Sequence, residues 1–402
     1  MEIDIFCEVE KANLRPGEEG QLLRETLAQA ELADKMGYGC WWEVEHHGAV
    51  EMSYSSAPEV ILSAIAQRTK RIRIGHAAAL APHNINHPIR IAERAATLDL
   101  LSNGRLEMGF ARSTVPEWRT FQIDPNDTRR QQIETMQMIP QMWTQERFSW
   151  DGKDIKVNDL SVIPKPQQKP HPPMWSMATS EDGFKVAGQA GVGVVGVTLM
   201  LPLDTMAQLF QTYREALKTA DPVGSFVNAQ TGVFTFVHCA ETMDQAIQNG
   251  AAAAMAWYQN AIVKFFELKE LLLQQEQAVL DSMEAGDGHG GVKLEAGAGL
   301  IGDIRPQGMN EQDELTQATL RIVGRLARGE EISADEVFNV LNKQDSVIIG
   351  DPATVRRKME RYRDIGTDRL LCFQQVGGLE HSKVMDSIRL VGEEVIPYLA
   401  PK

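Results

Sequence analysis

RIRIGHAAALAPHNINHPIRIAERAATLDLLSNGRLEMGFARS, at residues 71–113, is the stretch of sequence that decides the fold. Its first ten residues have the composition of a strand, and RLEMGFAR near its end predicts another strand. Between them, IRIAERAATLDLLSNG has the apolar period of a helix and closes on Gly104, a residue type typical of helix ends. This order predicts parallel strands, because the crossover helix returns the chain to the same end of the sheet.

The same alternation continues in both directions along the chain. It predicts eight strands separated by helices, at residues 3–9, 38–47, 71–80, 105–112, 172–179, 192–199, 226–238 and 368–375. Eight such units close naturally into an α/β fold of the (β/α)₈ TIM-barrel type. An open doubly wound sheet is the alternative, although no Gly-x-Gly-x-x-Gly turn follows the first strand.

One segment, residues 257–341, interrupts this rhythm before the last βα unit. Residues 257–280 are helical by composition, and residues 284–308 are rich in glycine without an apolar period. Two further helices, near 314–328 and 335–341, lead back to the barrel. We therefore expect one barrel domain over residues 1–402 with an insertion at 257–341, which is either a surface excursion or a lid over the barrel mouth.

Composition excludes several classes of protein. The 402 residues contain 40 Lys+Arg and 55 Asp+Glu, and a net charge of −15 argues against a nucleic-acid partner. The sequence has no run of 18 apolar residues, so no membrane span is predicted. The N-terminus lacks the features of a signal peptide, and we therefore expect a cytoplasmic protein. The four cysteines, Cys7, Cys40, Cys239 and Cys372, lack metal-ligand spacing, which predicts reduced thiols and no metal site.

Reactive groups of a parallel barrel lie at the C-terminal ends of its strands. This rule selects polar residues that follow the second, third, fourth and fifth predicted strands, together with the small residues among them: Glu45, His46, His47, Gly75, His76, Ala77, Ala78, Arg112, Thr179 and Ser180. The two adjacent histidines would point to opposite sides of an extended segment, so at most one faces the mouth. That imidazole is either an acid/base group or a partly buried polar residue at a strand end.

Arg112 and Ser180 suggest an anion site. Ser180 precedes a predicted helix whose first N–H groups are free to bind an anion, and Arg112 offers a bidentate charge. Each residue alone also fits a structural role, Ser180 as a helix N-cap and Arg112 in an ion pair at the barrel rim. Together at one end of a barrel they favour a phosphate.

Four segments carry a family resemblance: WWEVEHHG at 41–48, the stretch at 71–113, MATSEDGFKVAGQAG at 177–191 and IIGDPATVRRKMERYRDIGTDRLLCF at 348–373. They resemble the bacterial luciferase-like, flavin-dependent monooxygenases, which are (β/α)₈ barrels. The resemblance implies a site for reduced FMN (FMNH₂) in the barrel mouth, with the ring over the third and fourth strands.

The resemblance also implies roles for individual residues. His46 matches an acid/base near the flavin, and Arg112 and Ser180 match positions that hold the FMN phosphate. The other expected cofactor-binding residues are Glu45, Gly75, His76, Ala77, Ala78 and Thr179. The family often has a non-prolyl cis peptide at the end of the third strand, which alignment to Gly75 puts at His76–Ala77. Luciferases carry a reactive cysteine where this chain has Ala111 and a small residue in place of His76, so we expect no light emission.

The function that follows is an FMN-dependent monooxygenase that acts on a small organic substrate with O₂ as co-substrate. No nicotinamide fingerprint is evident, so a separate flavin reductase would supply FMNH₂, and the resemblance implies a homodimer. A deazaflavin-dependent oxidoreductase and a non-catalytic flavin-binding partner subunit are the alternatives. Trp118, Trp257 and Tyr258 either shape a substrate pocket or pack in the fold, whereas Trp143 and Trp175 are expected in the core.

Overall fold

Eight parallel strands form a closed barrel in the computed structural model, which describes residues 1–50, 52–198, 201–265 and 314–399. The barrel order is β1-β2-β3-β4-β7-β8-β9-β11, and β11 pairs with β1 to close it. The predicted (β/α)₈ barrel is therefore confirmed, and the open doubly wound sheet is wrong. The strands are β1 Glu2–Cys7, β2 Cys40–Glu43, β3 Arg73–Leu80, β4 Leu106–Ala111, β5 Phe148–Asp151, β6 Lys156–Leu160, β7 Met174–Met177, β8 Gly193–Val197, β9 Thr231–Cys239, β10 Val347–Gly350 and β11 Arg369–Phe373.

Helices cover the outside of the barrel between successive strands. Several begin with a proline in the first turn, where its missing N–H costs no hydrogen bond, and α1 ends at Gly37 with a φ of 85°. The helices are α1 Glu19–Met36, α2 Pro58–Arg68, α3 Pro88–Leu101, α4 Val115–Thr120, α5 Thr128–Thr144, α6 Glu181–Gln189, α7 Leu203–Leu217, α8 Met243–Gln248, α9 Ala251–Phe265, α10 Glu314–Ala327, α11 Ala334–Leu341, α12 Pro352–Asp364, α13 His381–Glu394 and α14 Ile396–Leu399.

The N-terminal end of the barrel is filled by large side chains. The rings of Trp42 and Trp175 meet edge to face with centroids 5.4 Å apart. Beside them, the Trp42 Nε1–H donates to Asp4 at 2.8 Å, and Arg369 forms a buried ion pair with the same carboxylate at 2.7 Å. This end is therefore packed core, which leaves the C-terminal end for a site.

The hairpin β5–β6, the helices α4 and α8 and the strand β10 were not predicted from the sequence. The antiparallel hairpin β5–β6 lies between α5 and β7, the short helix α4 follows β4, and β10 pairs with the upper half of β9. The second strand is also shorter than predicted, since it ends at Glu43 and leaves His46 and His47 in a loop. The His46 N–H donates to the Ser55 carbonyl at 3.0 Å, so the loop is held by its own following segment rather than by a strand.

The interruption before the last unit falls between β9 and β10. Helix α9 occupies residues 251–265, and both α10 and α11 pack against it. The glycine-rich stretch at 284–308 lies outside the described residues, so the lid stays a prediction. Within the described ranges, no helix has both the length and the apolar character needed to cross a membrane, and all four cysteines are buried and free.

Candidate active site

A buried ion pair between His46 and Glu117 stands at the C-terminal end of the barrel. His46 lies in the loop after β2, and Glu117 lies in the first turn of α4, just beyond β4. The Nδ1 atom of His46 is 3.2 Å from the Glu117 Oε1, and the side chains are 18% and 0% exposed. The carboxylate also accepts hydrogen bonds from the His47 N–H at 2.9 Å and from the Ser113 hydroxyl at 2.6 Å.

The charges of this pair follow from those contacts. Burial disfavours both charged forms, but hydrogen bonds and the charge of His46 lower the pKa of Glu117 to about 2. Burial likewise acts against the imidazolium, yet Glu117, Glu8 and Glu45 together raise the pKa of His46. Both shifts therefore favour the ion pair, with its proton on the imidazole.

Hydrogen bonds to Glu45 connect the loop after β2 with the end of β3. Its Oε2 accepts from the Leu80 N–H at 3.0 Å, and its Oε1 accepts from the Asn86 amide at 2.8 Å and lies 3.2 Å from the His47 Nε2. Burial would raise its pKa, but the hydrogen bond from His47 and the charge of His76 lower the pKa of Glu45. Both oxygens therefore bond to neighbouring protein groups. The two adjacent histidines thus engage different carboxylates, His46 with Glu117 and His47 with Glu45.

The end of β3 differs from the arrangement predicted at His76. The His76 ring lies beside Glu59 and Arg94, in a small cavity between β3 and the helices α2 and α3. Its buried Nε2 has no hydrogen-bond partner among the described residues and is 3.8 Å from a Glu45 oxygen, and burial lowers the pKa of His76. The side chain therefore points to the helical layer, and Gly75 faces inward, where a Cβ would collide with the Trp42 ring.

The non-prolyl cis peptide bond at the end of β3 is Ala77–Ala78, so the prediction of His76–Ala77 is wrong by one residue. The pairing of β3 with β4 shifts between His76 and Ala79, and the two residues of the cis bond have no partner in β4. Alignment to Gly75 could not reveal this irregularity. Across from it, a Cβ on Gly109 would lie 2.6 Å from the His76 carbonyl oxygen. Small residues therefore line the mouth at the ends of β3 and β4.

Contacts around α5 connect the ends of β4 and β7. The Arg112 Nε–H donates to the Thr128 hydroxyl at 3.0 Å at the start of α5. The next residue, Arg129, pairs with Asp182 of α6 at 3.2 Å, and Ser180 caps α6 by accepting from the Gly183 N–H at 3.2 Å. Arg112 and the N-terminus of α6 therefore flank the same end of α5. Thr179 is exposed and Ser180 is half-buried at this edge.

These features fit a flat, anionic cofactor. Gly109 and the buried Ala77 and Ala78 place only small groups at the ends of β3 and β4, while Arg112, Arg129 and the N-terminal N–H groups of α6 supply positive potential at one edge. The exposed carboxylates Glu181 and Asp182 work against an anion there, although Asp182 is paired with Arg129. The positive edge of the mouth therefore fits the phosphate of FMN.

Glu117 and Arg129 were not predicted as site residues from the sequence. The Thr-x-x-Glu spacing at 114–117 is a helix-start pattern, and it could have predicted α4. It could not have predicted that the carboxylate would meet an imidazole 71 residues earlier in the chain. Among the predicted packing residues, Trp143 and Trp175 are in the core, and Trp118 donates to the Arg112 carbonyl at 2.8 Å.

A second polar cluster joins the hairpin β5–β6 to α5. His83, Glu134 and Asp154 have potential ligand atoms within 4.8 Å of one another. Arg130 bridges both carboxylates, at 3.1 Å to Glu134 and 2.5 Å to Asp154, and the Trp150 indole N–H donates to Glu134 at 2.9 Å. The cluster is therefore an ion-pair network in which one guanidinium already bonds to both carboxylates.

The closed barrel of parallel strands makes the protein a TIM barrel, and its polar mouth lies at the C-terminal end, where TIM-barrel proteins have their sites. The luciferase-like monooxygenase family model matches residues 1–369, so the chain belongs to that family, as its sequence predicted.

Individual relatives match over part of their length. The chain is 31% identical to 4-hydroxyprotoasukamycin monooxygenase of Streptomyces nodosus subsp. asukaensis over 235 residues, which are 57% of this chain and 62% of that protein. It is 28% identical to the oxygenase component of flavin-dependent trigonelline monooxygenase of Acinetobacter baylyi over 221 residues, 54% of this chain and 59% of that protein. The chain thus spans about three fifths of the length of these two relatives.

A solved structure matches over the whole chain. The monooxygenase RslO1 from Streptomyces bottropensis superimposes with a TM-score of 0.70 at 21% identity, covering 100% of both chains. At this identity the match supports the barrel fold.

Proposed function

We propose that the protein is an FMN-dependent monooxygenase of the two-component kind, which takes FMNH₂ from a separate reductase and uses O₂ on a small organic substrate. The observation that carries the proposal is the buried His46–Glu117 ion pair at the end of the barrel where the small-residue floor and the cationic edge at Arg112 occur. The family match and the flavin-dependent oxygenase among the relatives support it.

The residues have separate tasks in this proposal. Arg112, Arg129 and the N-terminus of α6 at Ser180 would hold the FMN phosphate, and Ala77 and Ala78 would lie against the ring. Reduced FMN, when bound, supplies the electrons that activate O₂. The task of the barrel mouth would be to exclude water from the bound cofactor, which protects reactive species from hydrolysis.

The imidazole of His46 would keep a proton next to the ring. Glu117 favours the charged form of His46, and the imidazolium would donate a hydrogen bond or a proton to an oxygen atom that gains negative charge during the reaction. Glu117 orients the ring through Nδ1, which leaves Nε2 as the atom that can act on the substrate.

A homodimer and a separate reductase are the partners that we propose. The relative from Acinetobacter baylyi is named as an oxygenase component, which supports a reductase partner. Apolar side chains on α2 and α3 are exposed, with Val60 at 67% and Leu101 at 46%, and burial of this surface would favour pairing. Light scattering of the purified protein measures the mass, and a monomeric mass would contradict the dimer.

Anaerobic titration followed by exposure to oxygen tests the proposed function. The protein should bind FMNH₂, consume O₂ in its presence and leave NADH untouched unless a flavin reductase is added. Binding of a deazaflavin in preference to FMN would favour the deazaflavin-dependent oxidoreductase. Binding of FMN without any effect on the rate of FMNH₂ oxidation would favour a non-catalytic partner subunit.

A further inference from the structure

Glu8 lies inside the mouth of the barrel, at the end of β1. Along β1, Asp4 accepts a hydrogen bond from the inward-facing Trp42, and Phe6 stacks on Phe234 with centroids 4.4 Å apart. Side chains alternate along a strand, so Glu8 continues the inward-facing series directly beyond the C-terminal end of β1. Its residue exposure is 4%. A buried carboxyl group therefore lies at the end of the barrel that also holds His46.

Within the described ranges, one oxygen of Glu8 accepts a hydrogen bond and the other has no partner. The Tyr258 hydroxyl, from α9, donates to Oε1 at 2.7 Å. The buried Oε2 has no hydrogen-bond partner among the described residues. Unpaired buried polar atoms are rare in native folds, and they concentrate where a ligand or a water completes the bonding. The Oε2 atom is therefore the part of Glu8 that can meet a bound molecule.

The surroundings favour the protonated carboxyl group. The charged and titratable groups nearby are Glu10 and Cys7 on its own segment, Glu43 of β2, His46 of the following loop and Tyr258 of α9. Burial raises the pKa of Glu8 to about 7, against the opposing effects of the His46 charge and the Tyr258 hydrogen bond. Because Tyr258 donates to Oε1, the proton of the neutral form is on Oε2, and the unpaired atom is a hydrogen-bond donor.

We propose that Glu8 is a substrate-contacting residue, whose Oε2–H donates a hydrogen bond to the carbonyl oxygen of an otherwise apolar substrate. Beside the carboxyl group, the ring of Tyr258 packs against the rings of Phe236 and Phe373, with centroids 5.4 and 5.0 Å from its own. A carbonyl oxygen only accepts hydrogen bonds, so it complements a lone donor in such surroundings. This inference rests on the proposed function, since it names the substrate class of the same site.

Glu43 provides a matched control. It is buried, its Oε1 also lacks a partner among the described residues, and burial raises its pKa to about 7. However, it is one residue from the inward-facing Trp42, and its other oxygen accepts from the Trp41 indole at 2.9 Å, so it lies on the opposite face of β2. Glu43 therefore titrates in a similar range without reaching the mouth.

Infrared titration of the flavin-loaded protein with cyclic ketones of increasing size, from cyclopentanone upward, tests the proposal. The C=O band of a protonated carboxyl group should shift when a ketone binds. This shifting band should be absent in Glu8→Gln and present in Glu43→Gln. Tyr258→Phe should keep the band to a higher pH, because the carboxylate loses a donor. If no ketone shifts the Glu8 band, the proposal is overturned.

Ketone affinity, measured from the flavin spectrum, gives an independent readout. The affinity for the ketone should fall about tenfold as the pH rises through 7, because one hydrogen bond is lost. At pH 6 the Glu8→Leu variant should bind the ketone about tenfold more weakly than the unmodified protein, for the same reason. Glu8→Gln keeps a neutral donor, so it should bind ketones with little dependence on pH. Unchanged pH dependence in Glu8→Gln would contradict the inference. These measurements use oxidised FMN, so loss of O₂ consumption with intact ketone binding would refute the proposed function alone.

Discussion

Glu117→Gln should destabilise the fold by about 3 kcal/mol at pH 6. Folding lowers the pKa of Glu117 from 4.5 to about 2, and each pKa unit is worth about 1.4 kcal/mol, which gives about 3 kcal/mol for the ionised form. Glutamine keeps the size of the side chain but removes the charge that faces His46. It also replaces one of the two acceptor oxygens by an NH₂ donor, whereas the carboxylate uses both oxygens as acceptors, one for the Ser113 hydroxyl and one for the His47 N–H.

The dependence on pH identifies the ion pair. A carboxyl group with a depressed pKa stabilises the fold above pH 4.5, and this contribution is lost as the pH falls toward about 2. The pKa of His46 is raised above 6.5, so its contribution is present below pH 6.5 and is lost as the pH rises through the value in the folded protein. The deficit of Glu117→Gln should therefore be largest between pH 4.5 and pH 6.5.

Urea unfolding followed by tryptophan fluorescence, at several pH values from 3 to 8, measures this deficit. Glu146→Gln is the control, because Glu146 is exposed and its replacement should change the free energy of unfolding by no more than about 0.5 kcal/mol. NMR of the histidine ring should also report a lower pKa for His46 in Glu117→Gln. A deficit below about 1 kcal/mol at pH 6, or one of equal size from pH 3 to pH 8, would refute the ion pair.

Three further changes follow from the site and from the barrel. Arg112→Ala should weaken FMN binding about 30-fold in a fluorescence titration, since a charge-assisted bond to phosphate is worth about 2 kcal/mol; unchanged affinity would contradict the phosphate site. Gly75→Ala should lower the free energy of unfolding by about 1–3 kcal/mol, because its Cβ collides with Trp42, whereas Gly378→Ala, with nothing within 4 Å of the added Cβ, should not. His46→Ala should slow O₂-dependent turnover about 10²–10⁴-fold, and normal turnover would exclude an acid/base role.

Hydrophobic period and helix-end residues were enough to predict the barrel. Strands such as β3 and β4 are short apolar runs that pair with sequence neighbours, so local patterns determine them. The hairpin β5–β6 was not predicted because its strands are largely exposed and their sequences lack a clear apolar pattern. The predicted second strand was longer than β2 is. The sequence does not reveal that the backbone beyond Val44 stops pairing with the β1 segment and pairs with Ser55.

By itself, the sequence determined the family, the parallel barrel and the end of the barrel where polar residues would gather, because each of these follows from local pattern and from strand order. Only the tertiary structure decided which side chains meet there. It paired His46 with a carboxylate 71 residues away and turned the His76 ring toward the helices. It also placed one oxygen of Glu8 inside the mouth with no partner in the part of the chain that the structure describes. Such contacts depend on loop paths and on side-chain orientation, which long-range packing determines and local sequence periodicity does not encode.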